Sequence, residues 1–337
     1  MYTYSDKSHI PQLRVLITSK CNSHCIYCRP GGETFLTNSQ LSAEEFVRCI
    51  TKLSEKGISS IKISGGDPAL REDLPLIIKK IKDIPNISYV ELITRFSGIP
   101  SMYGELEKAG LDCINFSLDT VDKDKWIYIN GRNDFDEYLD AIKKARDYKY
   151  KLKINSVICM TEFSEILDLI GFIQSLGGGT LKLLDLIDDI VDERRNKNYD
   201  FSKCLSPDYI ISELGKVSDE IKTIYPPGGI GHPMKQFFLE EKVDVIVKTS
   251  QAGAYYHESC KSCRFFPCYD ALMALRLTPD GKLQKCLLRS DNWFDMYSVL
   301  DNEDKLINGI NNMLNNYVDA KFYTYAEIGE IRKKFNE

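Results

Sequence analysis

Two patterns of apolar residues alternate along the first part of the chain. Short runs rich in β-branched residues predict strands, and longer segments with an apolar residue every three or four positions predict amphipathic helices. The predicted strands are LRVLIT (13–18), SIKISG (60–65), YVELIT (89–94), CINFSL (113–118), KLKINSVI (151–158) and LKLLDLI (181–187). Strands that alternate with helices are typical of a parallel sheet. Six such strands fit either an open doubly wound sheet or an incomplete barrel.

Helices are predicted between these strands. In SAEEFVRCITKLSEKG, Ser42 and Glu45 have the spacing of a capping box, and Gly57 can end the helix. The same periodicity predicts three more helices, in LPLIIKKIKD, EYLDAIKKARDY and FSEILDLIGFIQSLG.

The alternation stops near residue 190. The charged stretch DDIVDERRNKNYD (188–200) predicts a solvated loop, and YPPGGIGHP (225–233) is a cluster of turn residues that predicts a loop or a domain boundary. Beyond it, Pro279-Asp280-Gly281 stands between two apolar runs and predicts a hairpin. We therefore expect the architecture to change near residue 225.

The composition is that of an ordinary folded protein. The chain has 337 residues, of which 43% are hydrophobic and 28% charged, and its formal net charge is −5. That charge gives no general attraction to nucleic acid or anionic membranes, so an anionic ligand must be held by local Lys or Arg residues. The segment MYTYSDKSHIPQ has no signal-peptide pattern, and no apolar run approaches the roughly 20 residues of a membrane span. We expect a cytoplasmic protein with no membrane or nucleic-acid partner.

The eleven cysteines fall into two groups and a scattered remainder. In a long chain without an export signal, cysteines are more often metal ligands or catalytic groups than disulfides. Cys49, Cys113, Cys159 and Cys204 are scattered, mostly among apolar residues, and are expected to be small core residues. The grouped cysteines are Cys21, Cys25 and Cys28 in the first part of the chain, and Cys260, Cys263, Cys268 and Cys286 in the last part.

The first group follows the first predicted strand, at the edge of a parallel sheet where active sites form. Three thiolates do not complete a tetrahedral zinc site, and His24 is a poor fourth ligand because it directly precedes Cys25. Three thiolates can hold three irons of a [4Fe–4S] cluster and leave the fourth iron open. A helix with one cysteine face is the structural alternative, and polar Asn22 and Ser23 disfavour it.

The motif CxxxCxxC with an aromatic residue before its last cysteine, here Tyr27, resembles the signature of radical S-adenosylmethionine (SAM) enzymes. Gly65-Gly66-Asp67-Pro68 follows the second predicted strand and resembles the GGEP motif of that family, with Asp in place of Glu. The resemblance implies that the open iron binds SAM and that an electron from the cluster cleaves SAM to a 5′-deoxyadenosyl radical. It also implies an incomplete (β/α)6 TIM-type barrel, which we predict for 1–225, with an iron–sulfur region over 226–337.

Within that family, the chain resembles the GTP 3′,8-cyclase branch of molybdenum-cofactor biosynthesis. The similar stretches are LRVLITSKCNSHCIYCRP, IKISGGDPALREDL, ELEKAGLDCINFSLDT, KLKINSVI and ALRLTPDGKLQKCLL. By that resemblance, the residues expected to bind SAM are Tyr27, Gly65, Gly66, Asp67 and Ser117, and those expected to hold a nucleotide are Arg14, Lys62, Thr94, Lys153 and Arg276. Several Arg and Lys residues in one cavity of an acidic protein suit a phosphorylated substrate.

The sequence departs from the cyclase pattern in two respects. Lys62 replaces an arginine, so that a forked donor becomes a point charge, and Ala274 replaces the first arginine of the cyclase stretch RLRLT. The upstream cysteines of the second group are displaced, and four candidate ligands stand where the cyclase cluster has three. Four thiolates would close an auxiliary [4Fe–4S] cluster, and they also suit a structural zinc site.

We therefore expect an enzyme with SAM and two [4Fe–4S] clusters that abstracts hydrogen from a phosphorylated nucleoside-type substrate and promotes cyclisation or rearrangement. Its other expected partner is an external electron donor such as flavodoxin or ferredoxin. Two enzymatic alternatives stay open, GTP 3′,8-cyclase itself and a peptide-modifying radical SAM enzyme with an auxiliary cluster. A non-catalytic iron–sulfur regulatory or scaffold protein is the third alternative. No side chain is identified as a general acid or base.

Overall fold

The computed structural model describes residues 9–28, 37–186, 201–268, 270–289 and 291–336. The strands are β1 (Gln12–Leu16), β2 (Ser60–Ser64), β3 (Tyr89–Thr94), β4 (Cys113–Ser117), β5 (Lys151–Val157), β6 (Gly179–Leu184), β7 (Glu220–Ile224), β8 (Met234–Leu239), β9 (Val243–Lys248), β10 (Ala254–Tyr256), β11 (Ala274–Leu277), β12 (Lys282–Gln284), β13 (Phe294–Asp295) and β14 (Lys321–Tyr323). The helices are α1 (Ala43–Ser54), α2 (Leu74–Lys82), α3 (Tyr103–Lys108), α4 (Lys123–Asn130), α5 (Phe135–Lys144), α6 (Phe163–Ser175), α7 (Pro207–Val217), α8 (Glu303–Val318) and α9 (Tyr325–Asn336).

One large sheet contains twelve of these strands, in the order β13-β12-β11-β1-β2-β3-β4-β5-β6-β9-β8-β7. The eight strands from β11 to β9 all run parallel. The six predicted strands form β1 to β6, side by side in chain order, and their ends differ from the prediction by three residues or fewer. The helices that connect them make the chain an α/β protein, which confirms the predicted fold class.

Local sequence signals explain the first helix and the buried strands. The predicted capping box is present at the start of α1, where Ser42 N donates to the Glu45 carboxylate at 2.8 Å. The apolar face of α1, which includes Phe46 and Leu53, is fully buried. Along β4, four successive residues are buried, from Cys113 to Phe116. Burial on both faces is expected for a parallel strand whose outer face is covered by helices.

Strands from beyond residue 225 extend the sheet on both sides. β9 pairs with β6 and β11 pairs with β1, in both cases parallel. The predicted hairpin is confirmed, because β11 and β12 pair antiparallel and Gly281 between them has φ +81°, which favours glycine. The predicted boundary at residue 225 therefore falls in a loop between two strands of one sheet, β7 and β8.

The two ends of the parallel array approach each other. Lys248, at the end of β9, donates from Nζ to Met273 Sδ at 2.9 Å, and Met273 directly precedes β11. Close by, Leu272 N donates to Tyr255 O at 3.0 Å. The array is therefore curved into an incomplete barrel, and residues from distant strands meet on its inner face.

Two remaining sequence predictions concern a loop and membrane helices. The charged stretch 188–200 lies outside the described residues, as does residue 187 at the end of the sixth predicted strand. Within the described ranges, no helix has both the length and the apolar character needed to cross a membrane.

Candidate active site

The first cysteine group lies in the loop that follows β1. A backbone hydrogen bond of 2.9 Å from His24 N to Asn130 O ties this loop to the end of α4. Cys21 and Cys28 are exposed, whereas Cys25 is half-buried. The three thiols therefore stand at the carboxyl end of the parallel strands, with two of them open to a ligand.

A buried network lies directly behind Cys25. Arg95 donates from Nη1 to Cys25 Sγ at 3.2 Å and from Nη2 to Asp119 Oδ2 at 2.7 Å. Tyr27 OH also donates to Asp119 Oδ2 at 2.7 Å, and Val157 N donates to its Oδ1 at 2.9 Å. Burial raises the pKa of the Cys25 thiol, and the guanidinium of Arg95 opposes that shift. One ion pair thus fixes both a cysteine and the aromatic residue of the motif.

Sequence reasoning missed Arg95 and Asp119. Both are almost fully buried, at 6% and 1% exposure. The signal that could have found them is their position, because Arg95 directly follows β3 and Asp119 closely follows β4. Polar residues at the carboxyl ends of parallel strands commonly belong to active sites.

The Gly65-Gly66-Asp67 loop packs against the start of the cysteine loop. Gly66 N donates to Thr18 O, and Asp67 N donates to Lys20 O, both at 2.8 Å. A Cβ atom on either glycine would overlap these backbone oxygen atoms, and Gly65 also has φ +149°. The glycines therefore allow two loops to approach closely, and the second loop helps to position the first.

Asp67 is buried and organises the strand ends around it. Its Oδ1 accepts hydrogen bonds from Thr94 Oγ1 at 2.7 Å and Ala69 N at 3.1 Å, and its Oδ2 accepts one from Arg95 N at 2.8 Å. Burial raises the pKa of Asp67, and these hydrogen bonds oppose the shift. The structure thus places Thr94 beside Asp67, and Ser117 at the carboxyl end of β4.

The donor set of the first cysteine loop, three free thiols, fits three irons of a [4Fe–4S] cluster. In such a cluster each thiolate binds a different iron, and the fourth iron stays open to another ligand. Arg95 beside Cys25 would also offset part of the negative charge of the bound thiolates.

Four of the predicted nucleotide residues lie on one wall of the incomplete barrel. Arg14 on β1 is in register with Lys62 on β2 and with Arg276 on β11. Lys62 is in turn in register with Glu91 on β3, and Lys153 on β5 reaches the same carboxylate. In-register neighbours project to the same side of a sheet, so these side chains share the inner face.

Glu91 holds two of these lysines in place. It is 1% exposed, and its two oxygen atoms lie 3.0 Å from Lys62 Nζ and 3.2 Å from Lys153 Nζ. Asn115 Nδ2 donates to it at 2.9 Å. Burial alone would raise the pKa of Glu91, but the two lysines hold it well below its ordinary value. The carboxylate therefore stays charged and fixes both ammonium groups.

Arg276 has a buried carboxylate of its own. Its guanidinium is 1% exposed and lies 3.6 Å from Oδ1 of Asp270, which is fully buried. Asp270 Oδ2 accepts a hydrogen bond from Leu287 N at 2.6 Å. The pair links β11 to the segment that carries the second cysteine group.

Two further lysines belong to the same wall. Lys182 is on β6, and Lys248 is on β9. The charges of Lys62 and Arg14 act on both. Burial, together with those charges, lowers the pKa of Lys182 well below that of a free lysine and lowers the pKa of Lys248 to about 7. Sequence reasoning missed both residues, although a single Lys inside each of the apolar runs LKLLDLI and VDVIVKT was the available signal.

The second cysteine group lines one cavity of about 170 Å³. Cys260, Cys263, Cys268 and Cys286 all contribute to its wall, and all four are half-buried. Aromatic and aliphatic side chains such as Phe266 form much of the rest. The fold thus brings four thiols together around one cavity.

These four thiols surround a cavity, which fits a cluster. Four thiolates can bind the four irons of a [4Fe–4S] cluster, one thiolate to each iron. Four thiolates also suit a structural zinc ion, and metal analysis of the purified protein distinguishes the two. Lys285 and Arg289 also line the cavity and would offset the charge of four thiolates.

Comparison with known proteins identifies the family. Residues 15–173 match the radical SAM superfamily model. A probable GTP 3′,8-cyclase of Pyrococcus abyssi (strain GE5 / Orsay) is 31% identical over 300 residues, which cover 87% of this chain and 90% of the relative. The chain belongs to the radical SAM superfamily. The GTP 3′,8-cyclase of Aquifex aeolicus (strain VF5) is 30% identical over 303 residues, with 87% and 86% covered.

Solved structures of radical SAM proteins share the fold. Streptococcus suis SuiB bound to S-adenosylmethionine superimposes with a TM-score of 0.61 at 14% identity, over 86% of this chain and 64% of SuiB. The chain thus spans just under two thirds of the length of SuiB. Native anSMEcpe with bound AdoMet gives a TM-score of 0.57 at 15% identity, over 89% of this chain and 82% of that protein. At such identities the likeness shows the fold alone.

Family membership confirms several sequence predictions. The protein is a radical SAM enzyme, in a branch that resembles the GTP 3′,8-cyclases. The predicted cofactors, SAM and [4Fe–4S] clusters, are confirmed by this family and branch. The thiol groups at both sites fit such clusters. The roles of the individual residues in binding SAM, iron or substrate stay predictions.

Proposed function

We propose that this radical SAM enzyme acts on a phosphorylated nucleoside and promotes its cyclisation or rearrangement. The observation that carries the proposal is the basic inner wall, formed by Arg14, Lys62, Lys153, Lys182, Lys248 and Arg276. Two buried carboxylates pair with three of these cations: Glu91 with Lys62 and Lys153, and Asp270 with Arg276. Charge buried without a counter-charge costs free energy, so the wall suits a ligand with several negative charges.

The chain's own residues would hold the reactants. When bound, the N-terminal cluster and SAM supply a 5′-deoxyadenosyl radical that abstracts hydrogen from the substrate. Arg95 and Asp119 hold Cys25 and Tyr27 in place at the SAM side of the site. Glu91 holds two lysines of the basic wall before any ligand arrives, which lowers the entropy cost of binding phosphate.

GTP is the first specific candidate for this substrate. Relatives that cover most of the chain at 30–31% identity carry the name GTP 3′,8-cyclase. We therefore favour 3′,8-cyclisation of GTP as the reaction. Rearrangement of another nucleotide is the second candidate. Ala274 stands where the cyclase pattern has an arginine, and a fourth cysteine lines the C-terminal cavity. A cluster with four thiolate ligands has no open iron for a substrate base.

A peptide substrate is disfavoured by the same wall. SuiB has been solved with its precursor peptide SuiA, but at 14% identity that likeness carries no argument about substrate. A peptide without acidic groups would bring no negative charge to Lys182 and Lys248, whose pKa values burial and neighbouring positive charges already lower, so it would bind this wall less favourably than a phosphorylated ligand.

The proposal is tested by turnover of the reconstituted enzyme under anaerobic conditions. SAM and an external electron donor, either dithionite or a flavodoxin or ferredoxin, are supplied with one candidate substrate at a time. We expect 5′-deoxyadenosine to form with GTP, together with a new product isomeric with GTP. Turnover of another nucleotide would favour the second candidate. Turnover of peptides, with none for any nucleotide, would overturn the proposal.

A further inference from the structure

Two side chains from outside the first cysteine loop reach the sulfur atom of Cys25. Arg95, which directly follows β3, donates from Nη1 to Cys25 Sγ at 3.2 Å. Asn130, the last residue of α4, accepts a hydrogen bond at Oδ1 from the Cys25 thiol at 3.3 Å. By comparison, Cys21 Sγ accepts a hydrogen bond from the backbone of its own loop, from Ser23 N at 3.4 Å. The polar surroundings of Cys25 are therefore built by residues far from it in the chain.

Both side chains are buried and held in place. Arg95 is 6% exposed, and its Nη2 donates to Asp119 Oδ2 and to Tyr27 OH, both at 2.7 Å. Asn130 is fully buried, and its backbone O accepts a hydrogen bond from His24 N at 2.9 Å, which joins α4 to the cysteine loop. Burial and these contacts keep both side chains next to the sulfur.

The side-chain amide of Asn130 can also donate to this sulfur. Within the described residues, its Nδ2 is buried and has no hydrogen-bond partner, which is unfavourable for a donor. A thiol that binds iron loses its proton, so Cys25 can then no longer donate to Oδ1. Rotation of the amide by half a turn presents Nδ2 to the sulfur instead. The unpartnered donor thus gains an acceptor when the cysteine becomes a thiolate.

The positive charge of Arg95 outweighs the negative charge of Asp119 at this sulfur. The carboxylate contacts Nη2, whereas Nη1 is the nitrogen next to Cys25. The charge of the guanidinium accordingly acts on Cys25 more strongly than the charge of the carboxylate does. The ion pair as a whole therefore stabilises negative charge on the sulfur.

We propose that Arg95 and Asn130 raise the reduction potential of the N-terminal [4Fe–4S] cluster by donating hydrogen bonds to the Cys25 sulfur. Reduction adds one electron from the external electron donor and makes the cluster and its thiolate ligands more negative, with no bond broken and no proton transferred. Hydrogen bonds to the sulfur atoms stabilise this added charge and are among the factors that set the potential of such clusters. Both residues act through Cys25 and take no direct part in hydrogen abstraction.

The test is an anaerobic redox titration of the reconstituted protein without SAM, followed by electron paramagnetic resonance of the reduced cluster. The midpoint does not depend on the fraction of the protein that holds a cluster, so partial loss of the cluster does not imitate the effect. Arg95→Met should lower the ratio of reduced to oxidised cluster at a fixed potential by about tenfold, a downward shift of about 59 mV for one electron. Asn130→Ala should lower this ratio by about threefold, since an amide carries no net charge.

Two further variants make the titration specific. Asn130→Ala leaves the pair of Arg95 and Asp119 intact, so the proposal stays testable if Arg95→Met does not fold. Arg95→Lys keeps the positive charge but not the planar fork, and its midpoint should lie between those of the wild type and Arg95→Met. Titration of the double variant Cys260→Ala/Cys263→Ala, which lacks two thiols of the C-terminal cavity, assigns the signal of the N-terminal cluster.

The matched controls are Arg48→Met and Tyr27→Phe. Arg48 is an exposed arginine on α1, so its replacement removes the same charge from a position where water and salt screen it. Tyr27→Phe removes two hydrogen bonds behind Cys25 but keeps both donors to the sulfur. Both controls should leave the ratio of reduced to oxidised cluster within about twofold of the wild type.

An unchanged midpoint in every donor variant that holds the cluster would overturn the proposal. A shift in Tyr27→Phe as large as that in Arg95→Met would also overturn it, because the effect would then follow from disturbance of the network. The titration uses neither nucleotide nor peptide, so its result is independent of the proposed function. If the midpoint falls in the donor variants but no nucleotide is turned over, the role of Arg95 and Asn130 stands and the proposed function is wrong.

Discussion

At the scale of single residues, the site depends on an ion pair that water does not reach. Arg95 and Asp119 are 6% and 1% exposed and lie 2.7 Å apart. The pair binds Cys25 through the guanidinium and Tyr27 through the carboxylate. Removal of one partner from such a pair leaves a buried charge uncompensated, which typically costs about 3–5 kcal/mol.

Asp119→Asn should therefore lower the free energy of unfolding by about 3–5 kcal/mol, because Arg95 loses its counter-charge. Anaerobic denaturation with urea measures this change. Tyr27→Phe removes one hydrogen bond to the same carboxylate and should cost only about 1 kcal/mol. Equal costs for the two variants would contradict the role given to the ion pair.

Lys248 should reduce the stability of the ligand-free protein in a pH-dependent way. Its pKa of about 7 lies below the value of about 10.4 for a free lysine, so folding disfavours the protonated form. This cost is absent above about pH 10.4, grows as the pH falls, and is complete below about pH 7. Lys248→Met should raise the thermal unfolding midpoint by about 2 °C or more at pH 6.5, with little effect near pH 10.

The control for this prediction is Lys235→Met. Lys235 is an exposed lysine on β8, in register with Val247 of β9, and its replacement should change the midpoint little at either pH. A Lys248→Met variant that is destabilised equally at both pH values would show that the lysine contributes packing and carries no charge penalty.

At the scale of elements, two loops from neighbouring strands position each other. The loop after β2 approaches the backbone of the loop after β1 so closely that only glycine fits at positions 65 and 66. The hydrogen bonds across this contact are donated by backbone N–H groups, as in Gly66 N to Thr18 O. The position of Cys21 in the first loop therefore depends on residues of the second.

Gly66→Ala should move the cysteine loop, because its Cβ would overlap Lys20 O. A complete N-terminal cluster contains about four irons. We expect the variant to fold but to bind fewer irons than this at its N-terminal site after reconstitution. Iron and sulfide analysis measures the loss. Gly171→Ala, in the exposed interior of α6 where a Cβ meets no other atom, should keep full iron content and gain up to about 1 kcal/mol of stability. Full iron content in Gly66→Ala would contradict the coupling of the two loops.

At the scale of the whole molecule, one sheet connects both cysteine groups. β11 pairs with β1, which leads into the first cysteine loop, and Asp270 pairs with Arg276 beside the second group. The basic inner wall lies on β11 and β1 and continues over β2, β5, β6 and β9. A cluster in the C-terminal cavity would therefore order the segment that closes one side of the substrate site.

Two clusters should give about eight irons per chain after reconstitution. Replacement of Cys260 and Cys263 by Ala should reduce this to about four, because both line the C-terminal cavity while the N-terminal loop stays intact. Mössbauer spectroscopy with iron counting measures both values. Replacement of Cys49 and Cys113, which are buried outside both groups, is the control and should leave about eight. A single zinc ion in the cavity would contradict the cluster.

The local patterns of the sequence predicted the strands β1 to β6 and both cysteine groups, because each depends on residues close together in the chain. The pairing of β9 with β6 and of β11 with β1 could not be predicted, since it joins segments far apart in sequence. For the same reason, the sequence did not predict the roles of Arg95, Lys182 and Lys248. Their importance depends on which groups from other strands they meet, and a single apolar run does not specify that.

The central claim is that the basic inner wall binds the phosphate groups of a nucleoside substrate. The most direct test compares kcat/KM for 5′-deoxyadenosine formation between the best nucleotide substrate, expected to be GTP, and the same nucleoside without phosphates. Loss of two or more charge-assisted contacts predicts a fall of at least about a hundredfold for the nucleoside. Equal values for the two compounds would contradict the claim, as would efficient turnover of a peptide without acidic side chains when neither compound is a substrate.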